Sequence, residues 1–303
     1  MTHSWSVTRL SGSLGAEVRG IELHEAGASE AAAVLDLLLE HQVLFFPEQR
    51  LSEASHVAFG RHFGALAGHP NLANPFSDHA EIFELAASRG GIADEWHSDI
   101  TFQAEPSILS ILHMVKCPAV GGDTQWSNTA RAFDALSAPL QDLCEGLTAL
   151  HDAAPHGKPE DMAVHPVVRV HPSTGRKSLF VNEHFTRRIV ELSHEESEVL
   201  LGYLKRWVAN PRFTVRYRWS QGTVAMWDNR CTQHFVLNDF EDERIIQRVT
   251  VMGDVPEGVA PPRWPPYTRT QKPGATSRYD AQLNQFLGRR AQSLETNRRD
   301  DEA

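Results

Sequence analysis

Three cysteines in 303 residues are too few to staple a fold of this size. Cys117, Cys144 and Cys231 are odd in number and far apart. They supply neither a disulfide framework nor a Cys-x-x-Cys metal site, and free thiols in a reducing compartment are expected. No run approaches the roughly 18 apolar residues that a membrane span needs, and Met1–Leu10 lacks an apolar core of signal-peptide length. No membrane association is therefore expected, and the cytoplasm is the expected location. Positive charge is short as well: 29 Lys and Arg stand against 39 Asp and Glu, a formal net charge of −10. A nucleic-acid binder would be basic, so no nucleic-acid partner is expected. No internal repeat is visible. What remains, 41% hydrophobic and 22% charged residues, describes an ordinary globular chain.

The local patterns mix helices and strands. Ala31, Val34, Leu35, Leu38 and Leu39 recur at helical spacing and predict a helix over Ser29–Gln42 with Ser29 as N-cap. Val43–Phe46 reads as a strand and Ser52–Phe63 as a helix. Ser107–Val115 is an apolar run bounded by Pro106 and Pro118, the profile of a buried strand. Thr129–Leu143 is helical with a break forced by Pro139. Ser193 and Glu196 form a capping box that opens a helix to about Val208. Thr214–Trp219 and Thr223–Trp227 read as strands joined by a hairpin at Gln221-Gly222. Ile245–Met252 is a strand in which Arg244, Ile246, Arg248 and Thr250 share one face. Beyond about Val255 the chain turns proline-rich and then polar. Tyr279–Leu294 is a candidate helix, and Asn297–Ala303 has a disordered composition.

Within this frame, His97-Ser98-Asp99 and the distant His234 carry the chemistry. Two imidazoles and a carboxylate are the facial set that holds non-haem ferrous iron with positions left open. In an extended segment, residues 97 and 99 point to the same side, so their donors can converge. Arg244 and Arg248 follow His234 closely. A buried guanidinium needs an anion, and arginine grips a carboxylate in a bidentate fork. His165 and His171 read as structural, His151 and His156 as solvated loop residues, and His113 as a core or pocket histidine. Asp228 and Asn229 read as turn formers.

Trp96–Phe102, Gly121–Trp126, His165–Pro172, Leu179–Asn182 with Phe185-Thr186-Arg187, and Trp227–Val251 together resemble the taurine dioxygenase (TauD/TfdA) family of iron(II)- and 2-oxoglutarate-dependent dioxygenases. The resemblance runs from about Ser6 to Val255. It implies an α+β fold with a mainly β core, a distorted double-stranded β-helix (jelly roll) with helices outside. It places a single domain over residues 1–260 and a polar C-terminal extension over 261–303. His97, Asp99 and His234 would be the catalytic iron ligands. Thr124 and Arg244 would bind the distal carboxylate of 2-oxoglutarate, and Arg248 the anionic head of the substrate. His69, Leu72, Ala93, Ile100 and Phe185 would complete the substrate pocket. The implied reaction consumes O2 and 2-oxoglutarate and releases succinate and CO2. It hydroxylates a small organic anion (a sulfonate, alkyl sulfate, aryloxyalkanoate or other carboxylate), with C–S or C–O cleavage as one outcome. A homo-oligomer, dimer or tetramer, is expected.

The departures from the family pattern also carry information. Leu72 and Ala93 stand where taurine-binding members carry a tyrosine and an asparagine, and the segment between Asp152 and His165 is short. Together they imply a larger, more apolar pocket than taurine needs. Asp99 implies hydroxylation rather than halogenation, because related halogenases leave that position without a carboxylate. Three alternatives stand beside this reading: a barrel that binds metal without turnover, a hydroxylase or desaturase of a natural-product intermediate, and a zinc hydrolase using the same three ligands. The intact Thr124, Arg244 and Arg248 speak against the first and the last.

Overall fold

The computed structural model describes residues 4–72, 77–90, 92–267 and 283–288. Most of the candidate helix Tyr279–Leu294, and all of Asn297–Ala303, lie outside them. Within the first, 283–288 is helical, and Leu283 is buried against Leu150 and Val190.

The architecture is mixed and rich in strands. An eight-stranded sheet runs in the order Ser6–Arg9, Ala16–Arg19, Val43–Phe46, Val224–Asp228, Ser107–Lys116, Ile245–Met252 and Leu66–Ala67, and Ile82–Ala86 also pairs with Ile245–Met252. All its pairings are antiparallel except that of Ala16–Arg19 with Val43–Phe46. A three-stranded sheet is built from Thr214–Tyr217, Thr124–Asn128 and Thr232–Val236. Another contains Thr186–Ile189, Thr148–Ala153 and Lys158–Pro166, and Val168–Val170 pairs with Lys177–Leu179. Among the described residues these ladders do not close into a barrel.

Alternation along the strands decides what each face buries. On Ile245–Met252, Val249 and Val251 point outward into a cluster with Val34 and Leu38 of the helix Ala28–His41 and Val57 and Phe59 of the helix Glu53–Arg61. Ile246, on the other face, joins Phe45, Trp126, Tyr217, Trp219 and Trp227 between the large sheet and the first small one. There Phe45 stacks on Tyr217 at 3.9 Å and meets Trp126 edge-on at 5.1 Å. Each fully buried ring of this kind contributes about 1.5–3 kcal/mol by leaving water. The end of the molecule that carries His234 rests on this aromatic layer, with Trp126 and Trp227 against its ring. A third cluster packs the helices Thr129–Asp134, Ala138–Glu145 and His194–Val208 onto the remaining strands.

Most elements fall where the patterns put them. Pro139 sits at the start of Ala138–Glu145, after the break from Thr129–Asp134. Ser193 and Glu196 exchange both capping bonds. Two expectations are corrected. The first helix starts one residue early: Gly27 is the N-cap, and its N–H donates to Glu30 Oε2 at 3.2 Å. That carboxylate serves the N–H of the cap residue itself, and Ser29 falls inside the first turn instead of capping it. The Gln221-Gly222 turn does not close a hairpin. Thr214–Tyr217 pairs with Thr124–Asn128, whereas Val224–Asp228 lies between Val43–Phe46 and Ser107–Lys116. Gly222, at φ +81°, is held by Met114 O and Gln49 N–H, so the chain crosses from one sheet to the other.

Candidate metal and anion site

His97 and His234 face each other as an isolated antiparallel pair: each N–H donates to the other's carbonyl, at 3.0 and 2.8 Å. Their rings lie 4.2 Å apart. This backbone pair, rather than strand geometry at 97–99, brings the distant histidine to the motif. Asp99 lies in a turn, not in a strand. The following Ile100 has φ +49°, a rare conformation for a β-branched residue, and it redirects the chain. Donor atoms of His97, Asp99 and His234 all lie within 4.8 Å of one another, and all three residues are buried.

The protonation states suit a cation. His97 Nδ1 donates to Glu95 O at 2.7 Å, which leaves the Nε2 lone pair 3.8 Å from Asp99 Oδ1. Burial pushes both imidazoles down, His234 well below the usual range. Burial alone would raise the Asp99 carboxyl, but Arg248 and the two histidines hold it well below the carboxylate range. Two neutral imidazoles and one ionised carboxylate are the donor chemistry of a ferrous site. Trp227 and Trp126 wall the His234 ring at 4.6 and 6.3 Å, and the Nδ1 of His234 has no partner among the described residues.

Asp99 is clamped from behind. Ser110 Oγ donates to Asp99 Oδ2 at 2.7 Å. Asn229 Nδ2 donates to Ser110 Oγ at 2.9 Å, and Asn229 Oδ1 accepts from Asp99 N at 3.2 Å and from Trp227 Nε1 at 3.0 Å. One amide thus ties the backbone of residue 99 to its own carboxylate. Asn229 does more than form the turn that its residue type suggested, and only its contacts reveal this. Ser110 carried no sequence signal, being one hydroxyl in an apolar strand.

Arg244 and Thr124 come together. Arg244 Nη2 lies 3.4 Å from Thr124 Oγ1, and its Nε donates to Gly122 O at 3.2 Å. Gly122 has φ +69°, and a Cβ there would meet Pro118 Cγ at 2.9 Å and Arg244 Cδ at 3.3 Å. The glycine lets the arginine lie close. Burial pushes the guanidinium down to about 10, so it stays charged at neutral pH. Among the described residues no carboxylate pairs with it, which leaves a buried cation suited to a ligand anion. Arg248 makes a contact that the sequence did not suggest: its Nη1 pairs with Asp99 Oδ1 at 2.5 Å. Its Nε is buried and unpartnered among the described residues.

A cavity of about 270 Å³ opens onto His97 and Asp99. His69, Leu72, Ala93, Ile100, Phe185 and Arg248, all expected at the substrate, line it. The volume lies just below the roughly 300–1,000 Å³ of drug-sized ligand sites, which suits a small anion. Phe83, His156 and His184 line it too without having been expected. His156 was expected in solvent but is half-buried, its ring 5.0 Å from that of His69. His151, also expected in solvent, is fully buried and bonds Thr101 Oγ1 at 2.9 Å. The causes differ: His156 ends the 3-10 turn Ala154–His156, whereas His151 lies within the buried strand Thr148–Ala153. Burial pushes His69 down to about 3 and His156 to about 4. His69 Nδ1 accepts from the N–H groups of Asn71 and Leu72 at 3.2 and 3.1 Å. The proton of the neutral ring therefore sits on Nε2.

His171, Asp228 and Cys231 form a second buried group with metal-like spacing. Its lone pairs are committed. His171 Nδ1 accepts two backbone N–H groups, and Nε2 donates to Asp228 Oδ2 at 2.9 Å. Arg230 fills both Asp228 oxygens, at 2.8 and 2.6 Å. This is a latch at the turn that leads into the strand of His234. Arg230→Ala should leave the Asp228 carboxylate buried with half its partners and cost about 3–5 kcal/mol, read as a large drop in denaturation midpoint. A midpoint within a degree of wild type would refute the latch.

Comparison with known proteins follows the same lines. Residues 6–250 match the model described as "Taurine catabolism dioxygenase TauD, TfdA family". The chain is 37% identical over 281 residues to an alkylsulfatase of Acinetobacter baylyi, covering 85% of this chain and 88% of that protein. It is 38% identical over 274 residues to an alpha-ketoglutarate-dependent sulfate ester dioxygenase of Pseudomonas putida, covering 82% and 90%. A taurine dioxygenase structure from Burkholderia xenovorans superposes with TM-score 0.78 at 39% identity, covering 84% of this chain and 92% of the other.

Proposed function

Because the chain belongs to the taurine catabolism dioxygenase TauD, TfdA family, and is thus a 2-oxoglutarate-dependent dioxygenase, we propose that it oxidises a small sulfate ester or related organic anion at a ferrous centre held by His97, Asp99 and His234. Thr124 and Arg244 take the distal carboxylate of 2-oxoglutarate, and Arg248 with His69 takes the head group. The carrying observation is the convergence of Asp99, His97 and Arg248 on one cavity walled by Leu72, Ala93, Ile100 and Phe185. The two relatives named as an alkylsulfatase and a sulfate ester dioxygenase support the head group.

When bound, iron supplies the activation of dioxygen against 2-oxoglutarate. The chain's residues do the rest. Arg244 orients the co-substrate by a charge-assisted pair in a site shielded from water. Arg248 and His69 hold the anion so that its attached carbon faces the ligand set. Hydroxylation of that carbon in R–CH2–O–SO3⁻ gives a hemiacetal-like sulfate, which loses sulfate and a proton to leave R–CHO. Succinate and CO2 account for the other oxygen atom.

The distorted double-stranded β-helix is the architecture of this reading, over a single domain of residues 1–260. The large sheet and the sheet of Thr124–Asn128, facing each other across the aromatic layer, support it. A homo-oligomer belongs to the same reading, supported by an apolar surface at Leu140, Leu143, Val199, Leu200 and Tyr203. Among the described residues no helix is long and apolar enough to cross a membrane; the cytoplasm remains our proposed location.

The test is an anaerobic Fe(II)/2-oxoglutarate titration followed by a panel of anions scored by succinate release. Each buried methylene is worth about 0.8 kcal/mol, so affinity should climb by up to about fourfold per carbon along linear alkyl sulfates until the cavity fills. Taurine turned over better than every longer anion would reject the pocket as argued.

A further inference from the structure

We propose that His156 is a specificity-determining residue, a third hydrogen-bond donor that adapts the head-group site to sulfuryl anions over carboxylates. This rests on the substrate reading above and goes beyond it.

His156 ends the 3-10 turn Ala154–His156, and Gly157 behind it takes φ +72° and donates its N–H to Ala154 O. The turn tips the ring into the cavity. There it meets His69 at 5.0 Å, Phe185 at 5.4 Å, Phe102 at 5.6 Å and His184 at 5.7 Å. The aromatic edges fix the ring plane. Its Nδ1 is buried and has no partner among the described residues. A buried polar atom without a partner is costly and is retained where a ligand satisfies it. The other two donors facing the same space are Arg248, whose Nε is also unpartnered, and His69, whose N–H sits on Nε2 because two backbone amides occupy Nδ1.

Three donors on three separate residues lining one cavity can serve a tetrahedral head with three terminal oxygens, as in R–O–SO3⁻ or R–SO3⁻. A carboxylate offers its roughly four lone-pair sites in a single plane, where the fork of Arg248 can engage it, whereas the three oxygens of a sulfuryl head are spread out of any one plane and give a third donor its own acceptor. The third donor therefore rewards one class and not the other. His184 also lines the cavity, but its Nδ1 is already bonded to Glu95 Oε2 at 2.7 Å.

The experiment uses the full chain loaded anaerobically with Fe(II) and 2-oxoglutarate, and titrates hexyl sulfate and heptanoate calorimetrically. His156→Phe keeps the ring and its packing but removes both nitrogens. It should weaken hexyl sulfate by about 10-fold or more and leave heptanoate within about 3-fold, so the sulfate-over-carboxylate ratio collapses. His156→Gln, which returns an N–H donor, should recover part of the ratio. Equal weakening of both ligands by His156→Phe, or no weakening, overturns the proposal and leaves the substrate reading standing. A wild-type protein that binds neither anion, or prefers heptanoate, overturns the proposal together with the substrate reading.

Discussion

Replacing Asp99 with alanine is expected to abolish iron binding and all 2-oxoglutarate-coupled turnover. The carboxylate is the sole anionic donor in a group whose other members are two neutral imidazoles. It is held ready by Ser110 and by the Asn229 amide. Loss of a partner behind a ligand costs 10–100-fold in metal affinity, so loss of the ligand itself should exceed about 100-fold. The wild type, loaded without oxygen, should show the weak visible charge-transfer band of the iron–2-oxoglutarate chelate. The variant should show none at the same metal concentration. His97→Ala should behave alike. A full-strength band in either variant would remove that residue from the ligand set. Because Arg248 pairs with Asp99, a circular dichroism spectrum and a melting curve should accompany each measurement, separating loss of metal from loss of fold.

Arg244→Ala is expected to act on the co-substrate and to spare the metal. The guanidinium is 5% exposed, bonded only to Gly122 O and Thr124 Oγ1 among the described residues. It therefore keeps donors and a full charge for a carboxylate. Truncating one partner of a shielded charged pair costs about 2–5 kcal/mol, which is a rise of about 30-fold or more in the 2-oxoglutarate concentration needed for half-maximal rate. Iron affinity measured without 2-oxoglutarate should stay within about 3-fold of wild type. Arg244→Lys should recover little, because a lysine offers a point charge where the site presents a planar fork. An unchanged KM would show that the distal carboxylate goes elsewhere.

The legible part of the candidate site was the part carried by residue type. Histidine and aspartate at 97, 99 and 234, arginine at 244 and 248, and threonine at 124 are chemistry that few other residues supply, and motif order singles them out. The same holds for the fold. The capping box at Ser193, the break at Pro139 and the alternation in Ile245–Met252 are local instructions, and the structure follows them. The hairpin at Gln221-Gly222 was misread because a glycine turn says how the chain bends, not which sheet receives the next strand.

What stayed hidden was carried by ordinary residues. Ser110 is one hydroxyl in an apolar strand, and Asn229 one amide in a turn. His156 looks like any histidine in a short loop. None has a spacing or a composition that marks it. Each gains its role from a neighbour distant in the chain, Asp99 for the first two and His69 for the third. The sequence by itself determined which side chains could bind a metal and two anions, because that is a matter of lone pairs and charge. Tertiary structure alone decided which atoms point where: the tautomers of His97 and His69, the clamp on Asp99 and the inward tilt of His156. The clamp on Asp99 and the ring contacts of His156 join segments far apart in the chain and exist only once the sheets have packed. The two tautomers rest on short-range bonds, His97 to Glu95 O and His69 to the N–H groups of Asn71 and Leu72, in loops whose shape the packed fold sets.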